Sequence, residues 1–170
     1  MIAFISGHLD LTEQEFIEHY VPKIDDANHN GHHFVVGDAR GCDTMAMKYI
    51  HSKRLVERLT VYHMFTSPRN YVEGAWKRGG YGDDEERDAT LTYQSNYDIA
   101  WVRAGREKSG TSKNLERRKE KNKQLADKWQ KVLSGELSSS AKCLIIEPQE
   151  GTINMIYDNS ISKKNISKTM

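Results

Sequence analysis

The stretch Phe34 to Ile50, FVVGDARGCDTMAMKYI, runs from an apolar segment through a glycine turn into an amphipathic helix. Phe34-Val35-Val36 is short, apolar and rich in β-branched side chains, so it reads as a buried strand. Gly37 ends it, and the loop Asp38-Ala39-Arg40-Gly41-Cys42 delivers Asp43 to the start of the helix. Strand, glycine turn and helix N-terminus together expose backbone N–H groups and a positive dipole end to an anion. Gly37 and Gly41 let the backbone come close to a ligand, and Arg40 brings a planar guanidinium suited to phosphate. The spacing is neither GxGxxG nor GxxxxGKS/T, the two commonest phosphate-loop patterns. A plain N-cap role for Asp43 fits the same residues. The expectation is a loop that takes the phosphate of a nucleotide or of a phosphorylated sugar.

The same alternation extends in both directions. Ile2 to Ile5 reads as a first buried strand cut by Ser6-Gly7, and Thr12 with Glu15 forms a capping box. The helix it opens carries Phe16, Ile17, Tyr20 and Ile24 on an apolar face, with Pro22 kinking or dividing it near Val21. Asn28 to His32 is a turn before the Phe34 strand. Leu59 to Phe65 reads as a third strand, Thr66 to Gly82 as a long irregular segment, and Asp83 to Asn96 as a helix. Tyr97 to Val102 is a fourth strand. The loop Arg106 to Gly110 then opens a helix from Thr111 to Leu133, with Leu115, Leu125, Ala126, Trp129 and Leu133 predicted to face the core.

This order predicts an α/β fold, a parallel sheet with helices on both faces. Ligands of such sheets sit at strand C-termini, so the loops at Ser6-Gly7-His8, Gly37 to Cys42 and Ala104 to Gly110 should meet in one crevice. Cys143 to Glu147 and Thr152 to Tyr157 read as a hairpin, and residues 160–170 as a polar, frayed tail.

Three segments carry a family resemblance. VVGDARGCDTMAMKY is similar to a GGARGxDxxA stretch, ISGHLDLT to an ISGSRD-type opening, and ERDATLTYQSNYDIAWVRAGREKSGTSKNLE to an RDxxM…SDxxIA…GT segment. Together, and in this order, they resemble the SLOG superfamily, which joins DNA-processing protein A to the lonely-guy phosphoribohydrolases. The resemblance covers residues 1–133 and implies a Rossmann-like domain over 1–135; the weaker pattern that follows reads as a C-terminal extension over 136–159 and a tail over 160–170. It also implies a nucleotide or nucleotide-derived ligand, N-glycosidic hydrolysis or transfer, and a homodimer formed through helices.

Several residues depart from the pattern. Asp38 stands where relatives have a second glycine. Leu91 replaces a methionine, and Asn114 stands where the hydrolases have the glutamate of PGGxGTxxE. Glu116 lies about 200° around the helix from that position. Two non-hydrolytic readings therefore stand beside the first: a non-catalytic nucleotide sensor, and a DNA-processing accessory that grips single strands.

The residues expected to bind nucleotide or phosphate are Ser6, Gly7, His8, Gly37, Asp38, Arg40, Gly41, Asp43, Arg87, Ser109, Gly110, Thr111 and Asn114. Gly110-Thr111 offers a second helix N-terminus to phosphate. Arg87 would hold phosphate, Asp88 would bind a ribose hydroxyl or act as base, and Asp38 is the other candidate carboxylate. His8 is a candidate general acid. Tyr71, Trp76 and Tyr81 are candidates to stack on a base, with lid or core packing as the simpler reading.

Composition narrows the classes. The chain has 170 residues and a net charge of +1, so no global field draws it to nucleic acid. Charge is uneven, with eleven Lys/Arg against four Asp/Glu between Arg103 and Lys131. The run Arg117 to Lys123 is either a solvated helix face or a nucleic-acid contact, and the first is the default. Cys42 and Cys143 have no neighbouring thiol, which fits a reducing cytoplasm. No metal-ligand spacing, cofactor motif, signal peptide or membrane span is predicted.

Overall fold

The computed structural model describes residues 1–136 and, as backbone, the strands 144–149 and 152–157. The chain divides into two units, Met1–Gln124 and Leu125–Met170.

The first unit is an α/β, Rossmann-like fold. Strands Ile2–Ser6 (β1), His33–Val36 (β2), Leu59–Tyr62 (β3), Trp76–Arg78 (β4) and Tyr97–Ala100 (β5) form one sheet in the order β4-β3-β2-β1-β5. Every pairing in it is parallel. Helices Glu13–His19 (α1) and Val21–His29 (α2) join β1 to β2, Cys42–Ser52 (α3) joins β2 to β3, and Asp84–Gln94 (α4) precedes β5. Successive side chains of a strand point to opposite faces. Ala3, Ile5, Phe34, Val36, Val61 and Ile99 accordingly pack with α1, α2 and α3, while Phe4, Val35 and Tyr62 pack with Leu91 of α4. Helices therefore cover both faces, as the alternation implied.

Local signals place the breaks. Thr12 and Glu15 form the capping box. Tyr20 ends α1 and Pro22 sits in the first turn of α2, where its missing N–H costs nothing. The Tyr20 hydroxyl is buried; it donates to Ser6 O at 3.0 Å and accepts from Trp101 N–H at 3.1 Å. One side chain at a helix break thus ties the ends of β1 and β5 together.

Four expectations need correction. Ile17 is half exposed, because Phe16 and Tyr20, one helical turn apart, take the core-facing positions beside it. The third strand stops at Tyr62: His63 Nδ1 lies 2.7 Å from Phe65 O, in a turn. The segment after it contains β4, an edge strand that sequence reading missed. Its three residues are all exposed, so no apolar alternation marks them.

The fourth concerns the last helix, Gly110–Leu133 (α5). Its buried residues are Thr111, Asn114 and Arg118, whereas Ala126 and Leu133 are exposed and Leu115, Leu125 and Trp129 only half-buried. A polar seam replaces the apolar stripe because the neighbouring groups are themselves polar. Arg118 donates to Asp98 Oδ2 at 2.8 Å and Ser95 O at 2.7 Å. Lys121 donates to the carbonyls of Thr92, Tyr93 and Ser95, which closes the C-terminal end of α4.

In the second unit, Leu144–Gln149 (β6) and Thr152–Tyr157 (β7) pair antiparallel, with Leu144 opposite Tyr157 and Gln149 opposite Thr152. This is the expected hairpin. Its predicted start at Cys143 and the tail 160–170 lie outside the described residues. Among the described residues no helix is long and apolar enough to cross a membrane.

Candidate functional site

Chain order and sheet order disagree between β1 and β5. From β1 the chain builds outward through β2, β3 and β4, then crosses to the other side of β1 to lay down β5. At such a switch point the loops leaving the two strands diverge and open a crevice at the strand C-termini. A cavity of about 490 Å³ lies there, within the range of small-molecule sites.

All but two of the residues expected to bind phosphate or sugar line it. Ser6, Gly7 and His8 come from β1 and its loop, Gly37, Arg40 and Asp43 from the β2–α3 turn, and Arg87 and Asp88 from α4. Ser109, Gly110, Thr111 and Asn114 come from the start of α5. Asp38 and Gly41 do not line the cavity. Sequence reading missed Asp10, Asp84 and Arg106 on its wall. Asp10 and Arg106 lay within the segments already singled out, but nothing local marked them as facing inward.

Two glycines are there for space. A Cβ on Gly41, whose φ is +75°, would strike the carbonyls of His8 and Leu9. A Cβ on Gly37 would meet Asp43 Oδ2 at 2.5 Å and Arg87 Cζ at 2.9 Å. The turn therefore seats the Asp43 carboxyl and the Arg87 guanidinium directly over the strand end.

Arg87 is buried among carboxylates. Its Nη1 lies 2.8 Å from Asp38 Oδ1 and 2.5 Å from Asp84 Oδ1. Arg69 bridges the same two oxygens, at 2.6 Å each. Two arginines and two aspartates thus close a ring. The other side of the Arg87 guanidinium holds Asp88 Oδ1, with Nη2 at 2.7 Å. Asp38 has no exposed surface. Burial alone would raise its carboxyl, but hydrogen bonds from Arg69 and the charge of Arg87 outweigh that and hold it below the ordinary value. Asp38 is therefore an anchor between the turn and the segment after β3, and Arg87 has little positive charge left to offer a phosphate.

Asp88 and Asn114 form a unit. Asn114 Nδ2 donates to Asp88 Oδ2 at 3.0 Å, while its Oδ1 accepts from Arg117 at 2.6 Å. The carboxylate that Asn114 lacks thus stands beside it on α4, held from both sides. Asp43 differs from the other acids. Its Oδ2 accepts from Ala39 N–H at 3.0 Å, yet it pairs with no arginine among the described residues. Burial pushes its carboxyl up to about 7; Arg87 opposes the rise, and the charges of Asp88 and Asp38 add to it.

The opposite wall is built by backbone. Ser109 Oγ accepts from Ser112 N–H at 3.2 Å and caps α5. The N–H groups of Gly110 and Thr111 take no partner among the described residues, as the first turn of a helix requires. His8 accepts from Arg103 N–H at 2.9 Å through Nε2, which assigns its proton to Nδ1. Burial, then Arg103, lowers its pKa, so His8 is a neutral structural ring and not the proton donor expected. Arg103 grips Glu15 bidentately at 2.8 and 2.7 Å, holding that carboxyl down at about 2. Arg106 pairs with Asp10 at 2.8 Å. Arg40 is exposed at the rim and has no ion pair among the described residues.

One atom stands out. Ser6 belongs to the cavity wall, and among the described residues its Oγ is the buried side-chain polar atom without a hydrogen-bond partner. No group of three or more His, Cys, Asp or Glu among the described residues is arranged to hold a metal ion. Trp76, expected as a stacking candidate, is 67% exposed on β4, and Tyr81 stacks on Tyr62; neither lines the cavity.

Comparison of the chain with known protein families, with curated proteins and with solved structures finds no match.

Proposed function

We propose that this chain binds a nucleoside phosphate in the cavity at the switch point, with recognition as its role. The observation that carries the reading is the pair of open N–H groups of Gly110 and Thr111 in the cavity wall at the start of α5. Ser6, whose buried Oγ has no partner among the described residues, lines the same cavity. The first turn of α5 carries no acidic residue, whereas α3 has Asp43 there and α4 has Asp84, Glu85 and Glu86. Phosphate therefore belongs at Gly110 and Thr111, with Arg40 reaching from the opposite rim. Asp88, oriented by Arg87 and Asn114, is an acceptor for sugar hydroxyls. The resemblance of the three loops to SLOG proteins supports the same ligand class.

A thermal-shift and calorimetric screen with nucleoside mono- and diphosphates is the test. A ligand at ~100 times its dissociation constant stabilises the fold by about 2.7 kcal/mol; no shift with any of them would remove the reading. Arg40→Ala is expected to weaken binding by roughly 1.5–3 kcal/mol with an unchanged melting temperature, because a charge-assisted bond is lost and no cavity opens. Equal affinity of the variant would make Arg40 a plain surface residue.

Hydrolysis of simple nucleoside monophosphates is expected to be slow or absent. Asn114 cannot ionise, and both Asp88 oxygens already accept from Arg87 and Asn114. Chromatography for released base decides it, and turnover on the order of 1–10 s⁻¹ would favour the hydrolase reading. The DNA-binding reading loses support from the basic run itself, since Arg117, Arg118 and Lys121 are engaged by Glu85, Asp98 and the end of α4.

A further inference from the structure

We infer that Asp43 selects the base of the bound nucleotide, and that the base it selects is guanine. The inference rests on the nucleotide reading and adds the identity of the ligand's other end. With phosphate at the start of α5, that end is directed to the remaining polar wall, where Asp43 stands in the first turn of α3. Asp43 is 7% exposed, and its Oδ2 is held by Ala39 N–H. Its Oδ1 takes no hydrogen bond among the described residues, and Asp43 is part of the cavity wall.

The charged groups around it are otherwise matched. Asp38 and Asp84 share Arg69 and Arg87, Asp88 is held by Arg87 and Asn114, and Arg106 is paired with Asp10. His8 is neutral, and Arg40 lies out at the rim. What Asp43 lacks is therefore hydrogen-bond donors.

A carboxylate presents only acceptors, so its complement is two adjacent donors. Guanine has them in N1–H and its 2-amino group. Adenine and cytosine place a ring-nitrogen lone pair next to the amino group, and uracil flanks its single N–H with two carbonyls. Each of these sets a lone pair against the carboxylate, and a site built for donors penalises that mismatch strongly. Donors also stabilise the ionised form, so binding expels the proton that burial retains up to about 7. Preference for guanine then rises with pH across that range.

Calorimetry of the whole chain with GMP, IMP, AMP and UMP at about pH 6 and about pH 8 tests this. AMP and UMP serve as controls for titration of the phosphate common to all four. The expected result is GMP tighter than AMP and UMP by about tenfold or more at the higher pH, with IMP weaker than GMP and the ratio shrinking at the lower pH. Asp43→Asn, whose amide presents one donor and one acceptor, is expected to lose both the preference and its pH dependence. Equal binding of the four, or tighter AMP, would overturn the role of Asp43 while leaving the nucleotide site standing. Absence of binding by all four would remove the nucleotide reading itself, and this inference with it.

Discussion

Arg87→Ala is expected to destabilise the fold by about 3–5 kcal/mol, the cost of removing one partner from a buried ionic network. The guanidinium is nearly inaccessible and contacts Asp38, Asp84 and Asp88. Its loss leaves Asp38, with no exposed surface, to Arg69 alone, and strips Asp88 of its charge partner. Urea unfolding followed by circular dichroism measures the change, and a loss under about 1 kcal/mol would mean that water replaces the guanidinium without penalty. Lys121→Ala is a useful contrast, because its contacts are to neutral backbone carbonyls and its loss leaves no carboxylate unpaired.

Asp43→Asn is expected to stabilise the protein, and only above acid pH. In the unfolded chain this carboxyl ionises near its ordinary value of 3.8, whereas burial keeps its proton in the fold up to about 7. Between those values the folded state binds more protons than the unfolded state, so the wild type loses stability as pH rises through the window. Asparagine removes the titration, and its amide oxygen can still accept from Ala39 N–H. The gain is near zero at about pH 4, grows towards pH 7 and levels off above it, with a ceiling of about 4 kcal/mol. Asp38 and Asp84 act in the opposite sense. Their carboxyls are held below the ordinary value, so what they contribute is present at neutral pH and lost as pH falls through the acid range. Paired denaturation curves of wild type and variant across pH separate the two, and a difference that does not vary with pH would sink the account of Asp43.

The order of elements was legible because each rests on a local cause. The strand around Phe34, the glycine turn after it, the Thr12–Glu15 capping box and the division at Pro22 depend on neighbours within a few residues. Parallel pairing followed from alternation, and the meeting of three loops followed from parallel pairing. What escaped was local structure without a local signal. Strand β4 is three exposed residues whose strand character comes from pairing with β3. The seam of α5 is polar because Ser95 and Asp98 await Arg118 across the chain.

The candidate site divides along the same line. Sequence spacing determined which residues reach the C-terminal edge of the sheet, since a residue just after a strand can lie nowhere else. Tertiary structure alone decided their chemistry. Arg87 and Asp38 are separated by 49 positions, yet their contact makes one an anchor and neutralises much of the other. Asp43 and Asp88 look alike as written. One is held by arginine and asparagine and the other by a single N–H, because the charge state of a buried carboxyl follows from the groups folding sets around it, and those come from distant parts of the chain.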